Sequence, residues 1–448
     1  MSDDPAAGSG PEADVPVPGE ARAEQPGRHA LVVKVWILTG LVAVADFIFG
    51  ATFVTFMTEG GLSASVIGLL LAGTSVTSLL LEAPSGAWGD RYGHRRLVVG
   101  GLTLWGCGLV SFAFSAGAAS FATAIGLWSA GLALYSGAAS SLLINTLNGT
   151  GEKQRGAGAV RGTETIRWGA AAIGAALVAL SARTVSTATS IVFSGAVLLC
   201  AALWVAVTWP ESPRGNALPV WRSLRAGYRL LTRGDYRVLL MLSVLTSADL
   251  GIIILTWQPA ALTVAGLSEE WLGLSLLVLS MGAAAGAAAT RWTSRRDPAV
   301  VVCAALIGLN GSLLCLSLGG IGAGAAYLGA EFFVGAALTS LAVWGQQLFP
   351  DDLRATATSV LGTATGITIA TTHGFVGTLW ERSGLADAVS VAAGTLGLSA
   401  VVGLLIRPAR RAVRPAPPAD DPHGATSVPS ADIPTAGSRG EGNADPRL

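Results

Sequence analysis

Apolar residues in this chain come in long runs separated by short polar stretches. The runs cover roughly 33–57, 64–88, 96–117, 121–146, 163–182, 186–208, 238–261, 270–290, 298–318, 321–348, 356–380 and 386–406. A helix crosses a bilayer with about 20 predominantly apolar residues. The pattern therefore predicts twelve transmembrane helices, called segments 1–12 here. Several are rich in Gly and Ala, which lets helices approach closely in lipid. Residues 1–30 and 407–448 are rich in Pro and poor in apolar groups, and are expected to be disordered tails. No signal peptide is expected, because acidic and Pro-rich residues precede the first apolar run.

Composition narrows the class. Apolar residues make up 51% of the 448 and charged residues 12%, where a soluble domain carries about 25% charged. Mean hydropathy is +0.58. A soluble enzyme of this length is excluded, and a net charge of zero argues against a nucleic-acid partner. Charge placement supports the count of segments. With a cytoplasmic N-terminus, all of the 28 Lys and Arg residues except Arg183 and Arg382 fall on the cytoplasmic side, a strong positive-inside bias. Both termini are then expected in the cytoplasm. Cys107, Cys200, Cys303 and Cys315 lie in apolar runs without metal-ligand spacing, so they read as small buried hydrophobes rather than a metal site or disulfide framework. No phosphate loop, His/Cys cluster or nucleophile elbow is present, so neither an enzyme nor a cofactor is expected.

The two parts of the chain look duplicated. Gly61-Leu62-Ser63 between segments 1 and 2 recurs as Gly266-Leu267-Ser268 between segments 7 and 8, and Ala45-Asp46 recurs as Ala248-Asp249. Parallel repeats about an axis along the membrane normal are a known transporter plan. The fold class expected is an all-α integral membrane protein of two pseudo-symmetric six-helix bundles, at 31–208 and 238–406. The linker at 209–237 places Trp221, Leu224, Tyr228 and Leu231 at helical spacing among Arg222, Arg225, Arg229 and Arg233. That spacing suits a basic amphipathic helix on the inner leaflet, or a solvated linker.

After segment 2 the chain reads Gly86, Asp90, Arg91, Gly93, Arg95 and Arg96 at fixed spacing. This closely resembles the signature between the second and third helices of the major facilitator superfamily, with Trp88 and His94 as departures. Glu82-Ala-Pro84-Ser-Gly86, Ser136-Gly137, Trp257-Gln258-Pro259 and the Pro350…Arg354 stretch resemble one branch of that family. The resemblance spans about residues 31–406. It implies two bundles around a central cavity working by alternating access, with Asp90 facing a neighbouring helix N-terminus as a conformational latch. A carboxylate at such an end is stabilised by about 0.3–1 kcal/mol. Segment 4 has Ser140 and Asn145 where this branch often carries acids, and it lacks the Arg usual in drug–proton antiporters. Segment 5 lacks the Pro of their Gly-x-x-x-Gly-Pro pattern.

Intramembrane ionisable residues are functional candidates by default. Asp46 and Asp249 are repeat-equivalent and expected to face the cavity. Glu331 stands alone in segment 10, Glu82 lies near the cytoplasmic motif, and Gln258 beside Trp257 suits substrate contact. Arg167 reads as the start of segment 5, paired with Glu164 three residues earlier. His373 and the Thr residues of segment 11 read as packing, since such hydroxyls satisfy their own helix backbone. The expected activity is secondary transport, as efflux of a small, partly apolar or cationic molecule with protons as coupling ion. The alternatives are import of a polar nutrient and a non-transporting sensor or scaffold. A monomer in a bacterial cytoplasmic membrane is expected, the Arg-, Ala- and Gly-rich composition suiting a GC-rich genome.

Overall fold

A computed structural model describes residues 25–148, 153–209, 234–293, 295–349 and 354–405. The linker beyond Trp209, the C-terminal tail and the first 24 residues, on which three of the expectations above fall, lie outside the described residues. Thirteen α-helices are described: α1 Gln25–Gly50, α2 Phe53–Glu59, α3 Ala64–Tyr92, α4 His94–Ala113, α5 Ala118–Asn148, α6 Lys153–Ser181, α7 Thr187–Thr208, α8 Gly234–Thr263, α9 Leu272–Thr293, α10 Pro298–Leu314, α11 Gly320–Leu348, α12 Arg354–Ser383 and α13 Leu385–Leu405. There is no strand among the described residues. Among the described residues ten stretches are long and apolar enough to cross a membrane; α6 contributes a shorter apolar stretch, Ile166–Ser181, and α12 is not among the ten.

Three boundaries differ from the sequence reading. Segment 1 is two helices, α1 and α2, separated at Ala51-Thr52. α1 begins at Gln25, inside the stretch read as tail. α6 begins at Lys153, so Arg167 lies in the middle of a 29-residue helix rather than at its start.

The packing repeats. In the first half α4 packs on α5 and α7, α3 on α5, and α1 on α6 and α7. In the second half α10 packs on α11 and α13, α9 on α11, and α8 on α12 and α13. Each pair in one set has its counterpart in the other. The turns repeat too. Gly61 and Gly266 adopt φ of 78° and 72°, and Gly117 and Gly319 adopt 86° and 66°, where a side chain would be strained. The Gly-Leu-Ser repeat is therefore a backbone requirement at each of its two sites.

The molecule has two ends. One, the hairpin end, carries the short turns at 60–63, 114–117, 264–268 and 384. The other, the linker end, carries Gly93, the C-terminal ends of α5, α7 and α11 and the N-terminal ends of α6, α8 and α12. Helix termini are satisfied locally: Ser186 caps α7 through the Thr189 N–H at 3.2 Å, and Asp297 caps α10 through the Ala299 N–H at 3.0 Å. At the linker end Lys34 donates to the Thr208 carbonyl at 2.7 Å and Arg95 donates to the Ala206 carbonyl. Cations thus meet the carbonyl end of α7.

The halves meet through α3 against α12, α6 against α9, and α2 against α8. Small residues make this possible. A Cβ on Gly377 would lie 2.7 Å from the Ala64 carbonyl oxygen, and one on Gly273 would lie 2.5 Å from the Ala179 nitrogen. Gly68 sits directly against the His373 carbonyl. Cysteine burial departs from expectation: only Cys303 is buried, while Cys107, Cys200 and Cys315 are on the exposed surface, all four free. The outer face of a membrane helix is as apolar as its inner face, so hydropathy does not separate the two.

Candidate transport site

The break in segment 1 is the most elaborately bonded place between the halves. The first N–H groups of α2 need acceptors from outside their own helix. Gln258 of α8 supplies them. Its Oε1 accepts from the Val54 and Thr55 N–H groups at 3.0 Å each and from the Thr55 hydroxyl at 3.3 Å. Its Nε2 donates to the Gly50 carbonyl at 2.8 Å. Gln258 is fully buried by this, so its amide is committed to a cap across the halves. Trp257 beside it is also buried. Pro259 follows inside α8, where its missing N–H leaves one carbonyl without its helical donor. Around the break Phe49, Phe53, Phe112 and Trp128 pack edge-on at centroid distances of 4.9–6.1 Å.

Two polar contacts join the halves further toward the hairpin end. Arg183 grips Glu270 through both arms, Nε–Oε2 at 2.6 Å and Nη2–Oε1 at 3.2 Å. Glu381, beyond the apolar run of segment 11, accepts the Ser65 N–H at the start of α3 at 3.0 Å. The Ser65 hydroxyl and N–H, with the Ser63 hydroxyl, hold the Glu381 carboxyl below its ordinary pKa. At the same end Glu59 meets Glu269 across the halves.

Among the described residues the intramembrane candidates do not gather into one cluster. Asp46 on α1 is half-buried. It lies within electrostatic reach of Arg167 on α6 and of the Tyr135 hydroxyl on α5. Arg167 is exposed on the protein surface, with its guanidinium 5.1 Å from the ring centroid of Trp168. Trp168 in turn packs edge-on against Phe47 at 6.4 Å. An acid, a cation and a phenol thus converge from α1, α6 and α5. Sequence reading missed this because it placed Arg167 at the start of segment 5; the missed signal was the absence of any proline between Lys153 and Ile166.

Asp249 does not share that environment. It is fully buried inside the second half, accepting from Asn310 Nδ2 on α10 at 3.0 Å. The expectation that both aspartates face the cavity therefore holds at most for Asp46. Repeat-equivalent backbone positions need not point side chains alike, because α8 packs against α10 here and offers Asn310 as partner. Glu331 on α11 is half-buried, its Cβ near Gly282 of α9. His373 is buried with its ring facing main-chain groups of Leu71 and Gly251. Thr365, Thr368, Thr371 and Thr378 of α12 donate to their own helix carbonyls at 2.8–2.9 Å, as the sequence suggested.

A central cavity of about 150 Å³ lies between the halves, lined by Thr74, Ser75, Ser78, Trp128, Ser129 and Thr363 among others. Of the motif residues, Gly93 takes φ 96° and separates α3 from α4. Arg95 caps α7 as described, and Arg96 is exposed. The side chains of Glu82, Gly86, Asp90, Arg91 and Arg354 lie outside the described residues.

A many-helix membrane protein with two like-packed halves around a small polar cavity is the architecture of a transporter. The chain belongs to the Major Facilitator Superfamily, whose family model matches residues 35–373. No curated protein matches it in sequence. Among solved structures, the nucleoside transporter NupG superposes with a TM-score of 0.70 at 14% identity, covering 84% of this chain and 98% of that one. A bacterial homolog to the human lysosomal transporter Spinster, inward-facing and unoccupied, gives 0.63 at 16% identity over 85% and 95%. A D-xylose-proton symporter gives 0.66 at 13% identity over 83% and 97%. At these identities the likeness is one of fold.

Proposed function

We propose that the protein is a twelve-helix secondary transporter of a bacterial cytoplasmic membrane, with both termini in the cytoplasm. It exports a small, partly apolar or cationic molecule in exchange for protons. The positive-inside distribution supports the sidedness, and it makes the hairpin end the outer face. The polar contacts at that face then favour an arrangement closed to the outside. The Asp90 motif at the opposite end, with Arg354, serves as the latch of the other state.

The observation that carries proton coupling is Asp46 beside Arg167 and Tyr135. A carboxylate in the membrane interior is expensive unless neutralised or paired. Taking up a proton removes the charge that Arg167 feels at Asp46, and this change couples proton binding to a shift between states. Asp249 is the second coupling candidate, and its bond to Asn310 makes it the more structural of the two. Gln258 acts by tying the halves together rather than by touching substrate.

The test is a vesicle assay with an imposed pH gradient and a lumenal pH dye, on a panel of hydrophobic cations and neutral metabolites. Substrate-driven proton movement is expected, reduced at least tenfold by Asp46→Asn and less by Asp249→Asn. Normal transport with unaltered pH dependence in both variants would falsify the coupling. A second reading, a facilitator of a polar nutrient, is favoured by the hydroxyl lining of the central cavity, Thr74, Ser75, Ser78, Ser129 and Thr363. Uptake of a labelled sugar or nucleoside without proton movement would select it.

A further inference from the structure

The second half contains a larger cavity that the coupling site does not use. It lies between α8, α9 and α11 at the hairpin end and measures about 490 Å³, within the range of about 300–1,000 Å³ that small-molecule sites occupy. Its walls are almost wholly apolar. Trp257 and Tyr327 are buried in its inner wall, and Trp271, Leu274 and Ile321 are exposed at its rim. The Tyr327 hydroxyl is engaged with the Thr256 hydroxyl at 2.7 Å, which leaves the aromatic ring as the surface offered to a ligand.

Glu331 lies on the same line of α11. It follows Gly324 and Leu328 of the cavity wall by seven and three residues, and so shares their helix face. It stands opposite Gly282 of α9, one turn deeper than Val278 and Leu279 of the cavity wall. Eleven residues separate it from the start of α11 at Gly320, which places it about 16 Å below the hairpin end, near mid-membrane. Among the described residues nothing hydrogen-bonds or pairs with its carboxyl group. An isolated acid at that depth is costly. Its position below a wall of three aromatic rings defines what would match it. A lipid chain or neutral apolar molecule fills the walls and leaves the acid unanswered. A hydrophilic cation answers the acid and loses its hydration against apolar walls. A lipophilic cation satisfies both, through charge at one end and aromatic faces along its body.

We propose that this cavity is a binding site for a lipophilic organic cation, held with its apolar body among Trp257, Trp271 and Tyr327 and its charge toward Glu331. The proposal rests on the reading of the protein as a carrier of partly apolar or cationic molecules and gives that cargo a place outside the central cavity.

The test is equilibrium binding of radiolabelled tetraphenylphosphonium to the purified full-length protein in nanodiscs of zwitterionic lipid. Triphenylphosphine oxide serves as the uncharged comparison. Saturable cation binding is expected. Glu331→Gln weakens it at least tenfold, and Glu331→Asp by no more than about threefold. Gly324→Trp, at a position with open space beside it, abolishes it. Binding of the uncharged probe changes less than twofold in Glu331→Gln. Thermal melting of each variant checks the fold, and if Glu331→Gln does not fold, Gly324→Trp and Trp257→Leu carry the test. The proposal is overturned by wild-type protein with no saturable binding, by equal losses in the Asp and Gln variants, by undiminished binding in Glu331→Gln or Gly324→Trp, or by loss in Asp46→Asn alone. Binding requires no transport, so a silent vesicle assay with this binding intact counts against the carrier reading and not against the site.

Discussion

Single residues show how one side chain acquires different meanings in sequence and in space. Beside Trp257, Gln258 reads as a substrate contact, yet all of its hydrogen-bonding oxygen and one of its N–H groups go to the broken first segment. Gln258→Leu is nearly isosteric and leaves two main-chain N–H groups of α2 without an acceptor. Each such buried group costs about 1–3 kcal/mol, so the variant is expected to lose about 2–6 kcal/mol of stability. A melting curve in detergent that matches wild type would remove Gln258 from this role. Asp249 carries the same lesson. Its sequence position equals that of Asp46 one repeat earlier, but Asn310, sixty-one residues away, decides its environment. That partner is invisible to a local reading of the chain, because only the packing of α8 on α10 brings it near.

At the scale of elements, hydrophobic runs located the helices well and their ends poorly. The apolar stretch of segment 5 gave a short helix because residues 153–165 are small and polar, although the backbone remains helical through them. Helix formation in such a stretch does not follow from its own hydropathy. The break between α1 and α2 has the same origin: the acceptor that stabilises it belongs to another helix. Contacts between helices of different halves depend on glycine. Gly377→Val places a branched side chain on the Ala64 carbonyl and is expected to part α12 from α3. A disulfide between Ser65→Cys and Glu381→Cys should then form at a yield at least threefold lower than in the parent double variant. Gly73→Ala, which meets nothing within 4 Å, should leave the yield unchanged; equal yields in all three would mean that this helix pair does not govern closure.

For the whole molecule, closure of the hairpin end depends on contacts that individually are weak. The Arg183–Glu270 pair is largely exposed, and water and salt screen such a pair so that it contributes little. Glu381 adds a pH dependence. Its carboxyl pKa is depressed by Ser65, so its contribution is full above the ordinary glutamate value of 4.5 and is lost as pH falls through the lower value. Acidifying that face well below pH 4.5 should therefore raise the labelling of a cysteine placed at Ser65, and Glu381→Gln should show the raised labelling already at neutral pH. Labelling that is flat with pH in the parent would exclude this contribution. The sequence by itself determined the membrane class, the repeated Gly-Leu-Ser turn and the resemblance to the family, because run length and motif spacing are properties of consecutive residues. Only the tertiary structure decided which polar groups meet. Asp249 with Asn310 and Gln258 with the α2 terminus are pairings between distant helices, and Asp46 feels Arg167 only because α1 packs on α6; a lipid-spanning helix looks equally apolar on the face that meets lipid and the face that meets its neighbour.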